Sequence, residues 1–393
     1  MGYTIPVLPA LDRAQRERFL KVYMAVMQEK RGDSDSDEEI LDIPDLDPSS
    51  DDSDDDNLQA FIQHAIPMFA KNDGFDASDC TNDPVSISDF NDTECWLNFR
   101  FKKGDLYRLQ RAFNVPAVMK TSQGHKFTGE EGLLIMLNRL AYPSRLSDLA
   151  PKFKRRPERL SELFRAMTDW LVNTYGHLLE DIKIWGPYMK PWSQALDNAE
   201  CPIPGIWAFI DGTLRPLCRP GIFQGVLYSG HKRVHGIKFQ SVEAPCGLIV
   251  HLFGPIAGHR HDSFMLRESR LLEQLEEYFS DKDVIFLIYG DPAYPISDFI
   301  ITRFKGVNLT PAEKMLNKFM SSCREAVEWA FGKVLQYQAY LDFKKNLKIL
   351  LSPVSNQHKA GVLVTNMHTC LYGCTSSRYF DCDPPTLEEY CAL

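Results

Sequence analysis

Hydrophobic and polar positions divide the chain into three regimes. Over 13–30, Phe19, Leu20, Val22, Tyr23, Val26 and Met27 recur among charges with the spacing of an amphipathic helix. Over 33–56 that pattern gives way to Asp and Ser, with too little apolar surface to offset the entropy of ordering, so disorder is expected. Helical spacing then returns. A short helix is expected over 57–69, a polar loop over 71–93, and helices over 103–113, 128–140, 146–153 and 158–175. The 128–140 helix has the clearest signals: Thr128 and Glu131 have capping-box spacing, Leu133, Leu134, Met136, Leu137 and Leu140 follow, and Pro143 stops it.

Beyond 200 the pattern becomes that of strands. An apolar run from Ile206 to Ile210 meets Asp211 and Gly212. Runs over 237–243 and 248–253 flank a hairpin turn at 244–247, so three antiparallel strands are expected. A helix follows over 264–278. The run from Val284 to Tyr289 is short, β-branched and aromatic, and it stops at Gly290 and Asp291 with Pro292 and Pro295 close behind; it reads as a buried central strand. A mixed connection over 295–304 leads to a long helix over 313–337, a helix over 357–371, and a loose tail after Ser376.

Composition changes this picture at one point. The 393 residues carry a formal charge of −9, but 13 acids and no Lys or Arg lie within 33–56. With them removed, 40 acids face 44 bases, so the rest is about +4, a balance compatible with nucleic acid as partner. The acidic tract reads as a solvated linker or, with Ile40, Leu41, Ile43 and Leu46 as anchors, a partner-binding segment. No secretory signal and no membrane span is expected, so the ten scattered cysteines read as reduced thiols of a cytosolic or nuclear protein. His368, Cys370 and Cys374 lack the second ligand pair that a zinc site needs.

The candidate chemistry is carried by carboxylates. Three antiparallel strands, a helix, a further strand and a later helix is the order of a ribonuclease-H-like α/β fold, a mixed sheet flanked by helices. In that order Asp211 on the first strand, Asp291 after the fourth and Glu328 on the later helix come to the rim of one sheet. Three such acids repel one another, and two divalent cations relieve that repulsion; oxygen-only ligands suit Mg²⁺ or Mn²⁺. Two such ions about 4 Å apart activate water and stabilise a leaving oxygen. Asp262 is a rival second acid, but a helix-capping role accounts for it, whereas Asp291 directly follows a buried strand. His231, His235, His259 and His261 are candidates to position phosphate. Upstream, the elements over 146–153 and 158–175 have the size of a helix-turn-helix. Lys152, Lys154, Arg155, Arg156, Arg159 and Arg165 place positive charge at its turn and second helix, and Lys232 and Arg233 add a basic loop further on.

Five pieces in order make the chain resemble the PIF/Harbinger superfamily of transposases and their domesticated nuclease-like relatives. They are Ile210 to Thr213; Tyr228 to Arg233 with His235; Gly258 to Ser263; Tyr289 to Pro295; and Arg324 to Gly332. The stretch 127–177 also resembles the helix-turn-helix module found upstream in these proteins. The resemblance implies a DDE endonuclease domain over 200–375; the residue pattern itself places a 1–31 helix, a 32–56 acidic linker and a helical DNA-binding module over 57–185 before it, and a 376–393 tail after it. It implies Asp211, Asp291 and Glu328 as the catalytic, metal-holding triad, with 36 residues between the last two, and His261 and Asp262 in support. It implies Mg²⁺-dependent cleavage of element ends, joining of the 3′-hydroxyl to target DNA, a nuclear setting, a homo-oligomer and a separate Myb/SANT-like DNA-binding partner. The alternatives are a domesticated DNA- or chromatin-binding scaffold and a hydrolase of RNA or hybrids. The acidic tract has no counterpart in the family pattern.

Overall fold

The computed structural model describes residues 84–304, 306, 309–349 and 351–393; the side chains of 322 and 325–331 lie outside this description. The expected 1–31 helix, acidic tract and 57–69 helix therefore lie outside the described residues. The first described part is helical: α1 (Asp92–Phe99), α2 (Lys103–Ala112), α3 (Gly129–Ala141), α4 (Leu146–Phe153), α5 (Pro157–Tyr175), α6 (His177–Glu180) and α7 (Gly186–Asn198), with a small hairpin of β1 (Val118–Lys120) and β2 (Lys126–Thr128) before α3. The Thr128 hydroxyl accepts from the Glu131 amide and so starts α3, as its sequence predicts. The Glu131 side chain does not complete the box. It turns inward to Arg155, which crosses from the α4–α5 turn. Helix α7 has no counterpart in the sequence reading, because Pro187 and Pro191 mask its periodicity. It forms because the first proline falls in the opening turn, where an amide is unpaired in any case, and because Trp192 stacks on Trp207 of the sheet at 5.9 Å and 6°.

The sheet follows. Strand β3 (Ile206–Pro216) pairs antiparallel with β5 (Val234–Glu243), and β5 with β6 (Ile249–Ala257), which is the expected meander. Short β4 (Tyr228–Ser229) lies beside the start of β5, after the single turn α8 (Gln224–Leu227). On its other edge β3 pairs parallel with β7 (Leu287–Gly290), and β7 pairs parallel with β8 (Ile300–Thr302). The order β6-β5-β3-β7-β8, with helices around it, is that of a mixed sheet consistent with the expected ribonuclease-H-like domain. β7 is buried throughout, as its continuous apolar run requires.

Three expectations are corrected. The 264–278 helix is two, α9 (Asp262–Glu268) and α10 (Leu271–Phe279), broken where Arg270 takes a left-handed φ of 53°. The mixed 295–304 connection holds a strand, β8. The loose tail is docked: after α11 (Pro311–Tyr337) and α12 (Val354–Tyr372) come α13 (Thr375–Tyr379) and α14 (Leu387–Ala392). Leu387 and Tyr390 are buried, the Asn366 amide donates to the Tyr390 hydroxyl at 3.1 Å, and Arg108 pairs with Glu388 at 3.0 Å. Polar spacing disguised this segment, since its buried residues Phe380, Cys382, Leu387 and Tyr390 fall at irregular intervals among polar ones. Trp185 lies 5.7 Å from Trp192 and 5.9 Å from Tyr390, so one aromatic column joins the helical part, the sheet and the C-terminus. Among the described residues the nine cysteines are free, and no helix is long and apolar enough to cross a membrane.

Candidate active site at the strand ends

The register of two parallel strands brings the first acids together. Ile210 of β3 pairs with Gly290 of β7, so the next residues, Asp211 and Asp291, emerge side by side at the carboxyl end of β7. β3 continues past this point to Pro216, and Asp211 is therefore mid-strand, with its carboxylate accepting the Gly212 amide at 2.9 Å. Asp291 opens a tight turn, in which its carbonyl accepts the Tyr294 amide at 3.0 Å. Such strand ends are where α/β sheets gather ligands.

Asp262 joins them, and its expected capping role is not observed. His261 holds the N-cap position of α9 without a side-chain cap, and Asp262 is the first helical residue. Its carboxylate accepts from Lys238 of β5 at 3.2 Å and lies against Gly212, where an added Cβ would meet the Asp262 Oδ1 at 3.0 Å. The absent side chain at Gly212 is what lets α9 bring this acid up to β3. Arg324 of α11 reaches Asp291 at 3.7 Å. Lys238 and Arg324 each offset part of the repulsion that clustered carboxylates would otherwise suffer.

The Tyr294 hydroxyl reports on the cluster. It is 2 % exposed and has no hydrogen-bond partner. Burial pushes its pKa far above the ordinary phenol value, and the charges of Asp262, Asp211 and Asp291 push it in the same direction. One phenol thus senses all three aspartates. Because its hydroxyl is buried without a partner, Tyr294→Phe is expected to leave stability unchanged or raise it by about 1 kcal/mol. Urea denaturation checks this; a clear loss of stability would mean that the hydroxyl has a partner in the folded protein.

Glu328 falls on α11, four residues after Arg324, and its side chain lies outside the described residues. Among the described residues no group of three or more His, Cys, Asp or Glu could hold a metal ion. The donor chemistry of Asp211 and Asp291, oxygen only and on adjacent strand ends, fits a hard divalent cation, with a further carboxylate needed to complete the set.

The other predicted residues divide. His261 is exposed at the head of α9, beside the cluster in sequence. His259 bonds the Val226 carbonyl at 2.6 Å, and His235 packs on the Tyr228 ring at 5.3 Å. His231, Lys232 and Arg233 are exposed on the β4–β5 turn. In the upstream module Lys154 and Arg156 are exposed, but Arg155 is not a surface cation: its guanidinium grips Glu131 at 2.7 and 3.1 Å, with the two side chains 8 % and 0 % exposed. Its expected role as a phosphate contact is corrected to an internal ion pair. Arg159 is turned to Glu162 at 2.8 Å, which also meets His125. Lys238 carries no local signal of its role in the sequence, and for the contact of Arg324 the helical spacing from Glu328 is the available clue.

Residues 210–366 match the family model described as DDE superfamily endonuclease. No curated protein and no solved structure matches the chain. The matched span runs from the residue before Asp211 to the Asn366 that ties α12 to β6 through the Ile249 backbone. Residues 210–366 of this chain are a DDE superfamily endonuclease domain.

Proposed function

We propose that this chain is a transposase of the PIF/Harbinger type, which cuts DNA at element ends and joins the freed 3′-hydroxyl to target DNA. The observation that carries the reading is the pairing of Ile210 with Gly290, which sets Asp211 and Asp291 side by side within a DDE endonuclease domain. Asp211, Asp291 and Glu328 would hold Mg²⁺ or Mn²⁺, two ions in all. When bound, such ions activate the attacking oxygen and stabilise the leaving one. The chain's own residues prepare that chemistry. Asp211 and Asp291 fix oxygen donors on rigid strand ends, Gly212 admits Asp262 beside them, and Arg324 and Lys238 restrain the acids. The exposed Lys154, Arg156, Lys232 and Arg233 are the surface cations this reading assigns to DNA phosphates. A nuclear setting, self-association and a Myb/SANT-like partner belong to the same reading.

The test is a cleavage panel run with and without Mg²⁺ and the candidate partner. Duplex DNA carrying element ends, plain duplex, RNA and an RNA–DNA hybrid are offered side by side. Metal-dependent nicking confined to DNA, with joined products on target DNA, is the expected result. Cleavage of RNA or hybrid in preference to DNA would overturn the reading. Binding without cleavage under every condition would favour a domesticated scaffold.

A further inference from the structure

A cavity of about 570 Å³ lies among the C-terminal half of α11, the end of α12 and the start of α13, with Trp96 of α1 at its side. None of the three clustered aspartates lines it. Its size falls within the range of small-molecule sites. Trp96, Tyr337 and Tyr372 supply its aromatic surface, and His368 lies among them, with its ring 4.1 Å from Tyr337, 4.6 Å from Tyr372 and 6.1 Å from Trp96. His368 is 2 % exposed, yet neither of its ring nitrogens has a hydrogen-bond partner; the Arg100 backbone comes near without reaching hydrogen-bond geometry. An imidazole buried in this way is costly unless something pairs with it. Two cations complete the wall. Lys333 is buried, with its ammonium bonded to the Thr369 hydroxyl, and it lies within electrostatic reach of the exposed Arg378.

We infer that this cavity binds a nucleotide, with the base against the aromatic surface and His368, and the phosphate between Lys333 and Arg378. Each part of the wall selects for that chemistry. Flat π faces stack on any base. Burial holds His368 down to about 3, so near neutral pH the ring is uncharged and adds a neutral aromatic face, not a charge, to the wall behind Tyr337 and Tyr372. Lys333 and Arg378 both line the cavity, so its charged part is cationic; an anionic occupant offsets that charge and a cationic one adds to it. The nucleotide chemistry follows from the cavity alone. That the nucleotide belongs to an unpaired DNA strand, rather than being free, rests on the endonuclease reading.

The experiment uses the full chain in EDTA, so that no cleavage intervenes. A short fluorescein-labelled single strand is titrated by anisotropy, then competed with dAMP. Trp96→Ala and Arg378→Glu are compared with the unaltered protein; both residues are partly exposed, and a thermal melt confirms folding. Both variants are expected to weaken single-strand binding about tenfold or more. Displacement of the strand by dAMP, with the same loss in the variants, is expected if one site takes both. Tight dAMP binding that is lost in the variants while strand binding is unchanged would assign the site to free nucleotide. Unchanged binding of both probes in both variants overturns the proposal. Asp211→Asn keeps this cavity intact, so loss of nicking in that variant and loss of binding in these are read separately.

Discussion

Replacing Asp211 by Asn is expected to reduce Mg²⁺-dependent nicking by about a thousandfold or more, while DNA binding and thermal stability stay close to those of the unaltered protein. The substitution keeps the size of the side chain, and Asn can still accept the Gly212 amide, so the local backbone on β3 retains its bond. What it removes is one negative charge beside Asp291, at the point where β3 and β7 are in register. A metal ion held in this position would contribute several kcal/mol of charge stabilisation to the proposed reaction, and about 1.4 kcal/mol corresponds to a tenfold change in rate, which gives the thousandfold figure. The protein without metal should gain slightly or not at all, because repulsion among Asp211, Asp262 and Asp291 is relieved. Two measurements separate the site from the fold: Mg²⁺ binding by calorimetry should weaken, and the melting curve should not shift down. The companion variant Asp262→Asn should cost less in nicking, since Asp262 already has Lys238 as partner and stands on α9 rather than at the paired strand ends. Unchanged nicking by Asp211→Asn would remove the catalytic assignment.

The contrast between Asp211 and Asp262 shows what the sequence discloses and where it stops. The strands were legible because burial on both faces demands uninterrupted apolar runs, and the run ending at Gly290 and Asp291 announces both a strand and its end. Pairing of neighbouring strand ends then follows from element order alone. Asp262 was hidden because an acid at the start of a helix has an ordinary explanation in capping. Only the approach of α9 to Gly212 reveals otherwise, and that approach depends on a side chain that is not there. The C-terminal segment was hidden for a related reason. Its anchors, Phe380, Cys382, Leu387 and Tyr390, follow neither a helical nor a strand period, and partners such as Phe209, Asn366 and the Trp185 column lie far away in sequence. Arg155 shows the opposite error. Read beside Lys154 and Arg156, it looks like one member of a basic patch, because sequence gives charge without direction.

That error makes Arg155 the place for a second large effect. Arg155→Met is expected to destabilise the helical part by about 3–5 kcal/mol, because Glu131, whose side chain is fully buried at the first turn of α3, would keep its charge and lose both short contacts from the guanidinium. Arg155→Lys should recover only part of this, since an ammonium cannot reproduce the two-pronged geometry. Removing both charges together, as Glu131→Leu with Arg155→Met, should restore most of the stability, because the desolvation cost disappears along with the attraction. Thermal and urea unfolding of the single, conservative and double variants measure this. The double variant also separates structure from recognition. If Arg155 serves only to hold α3 to the α4–α5 turn, that variant binds non-specific duplex DNA as the unaltered protein does, with the same slope of log affinity against log salt. Lys154→Ala with Arg156→Ala, by contrast, should lower that slope by about 2 if both exposed side chains meet phosphates. A double variant that regains stability but loses DNA affinity would return Arg155 to the basic patch; unchanged affinity leaves Lys154 and Arg156 as the cations at that turn that face the solvent and any DNA within it.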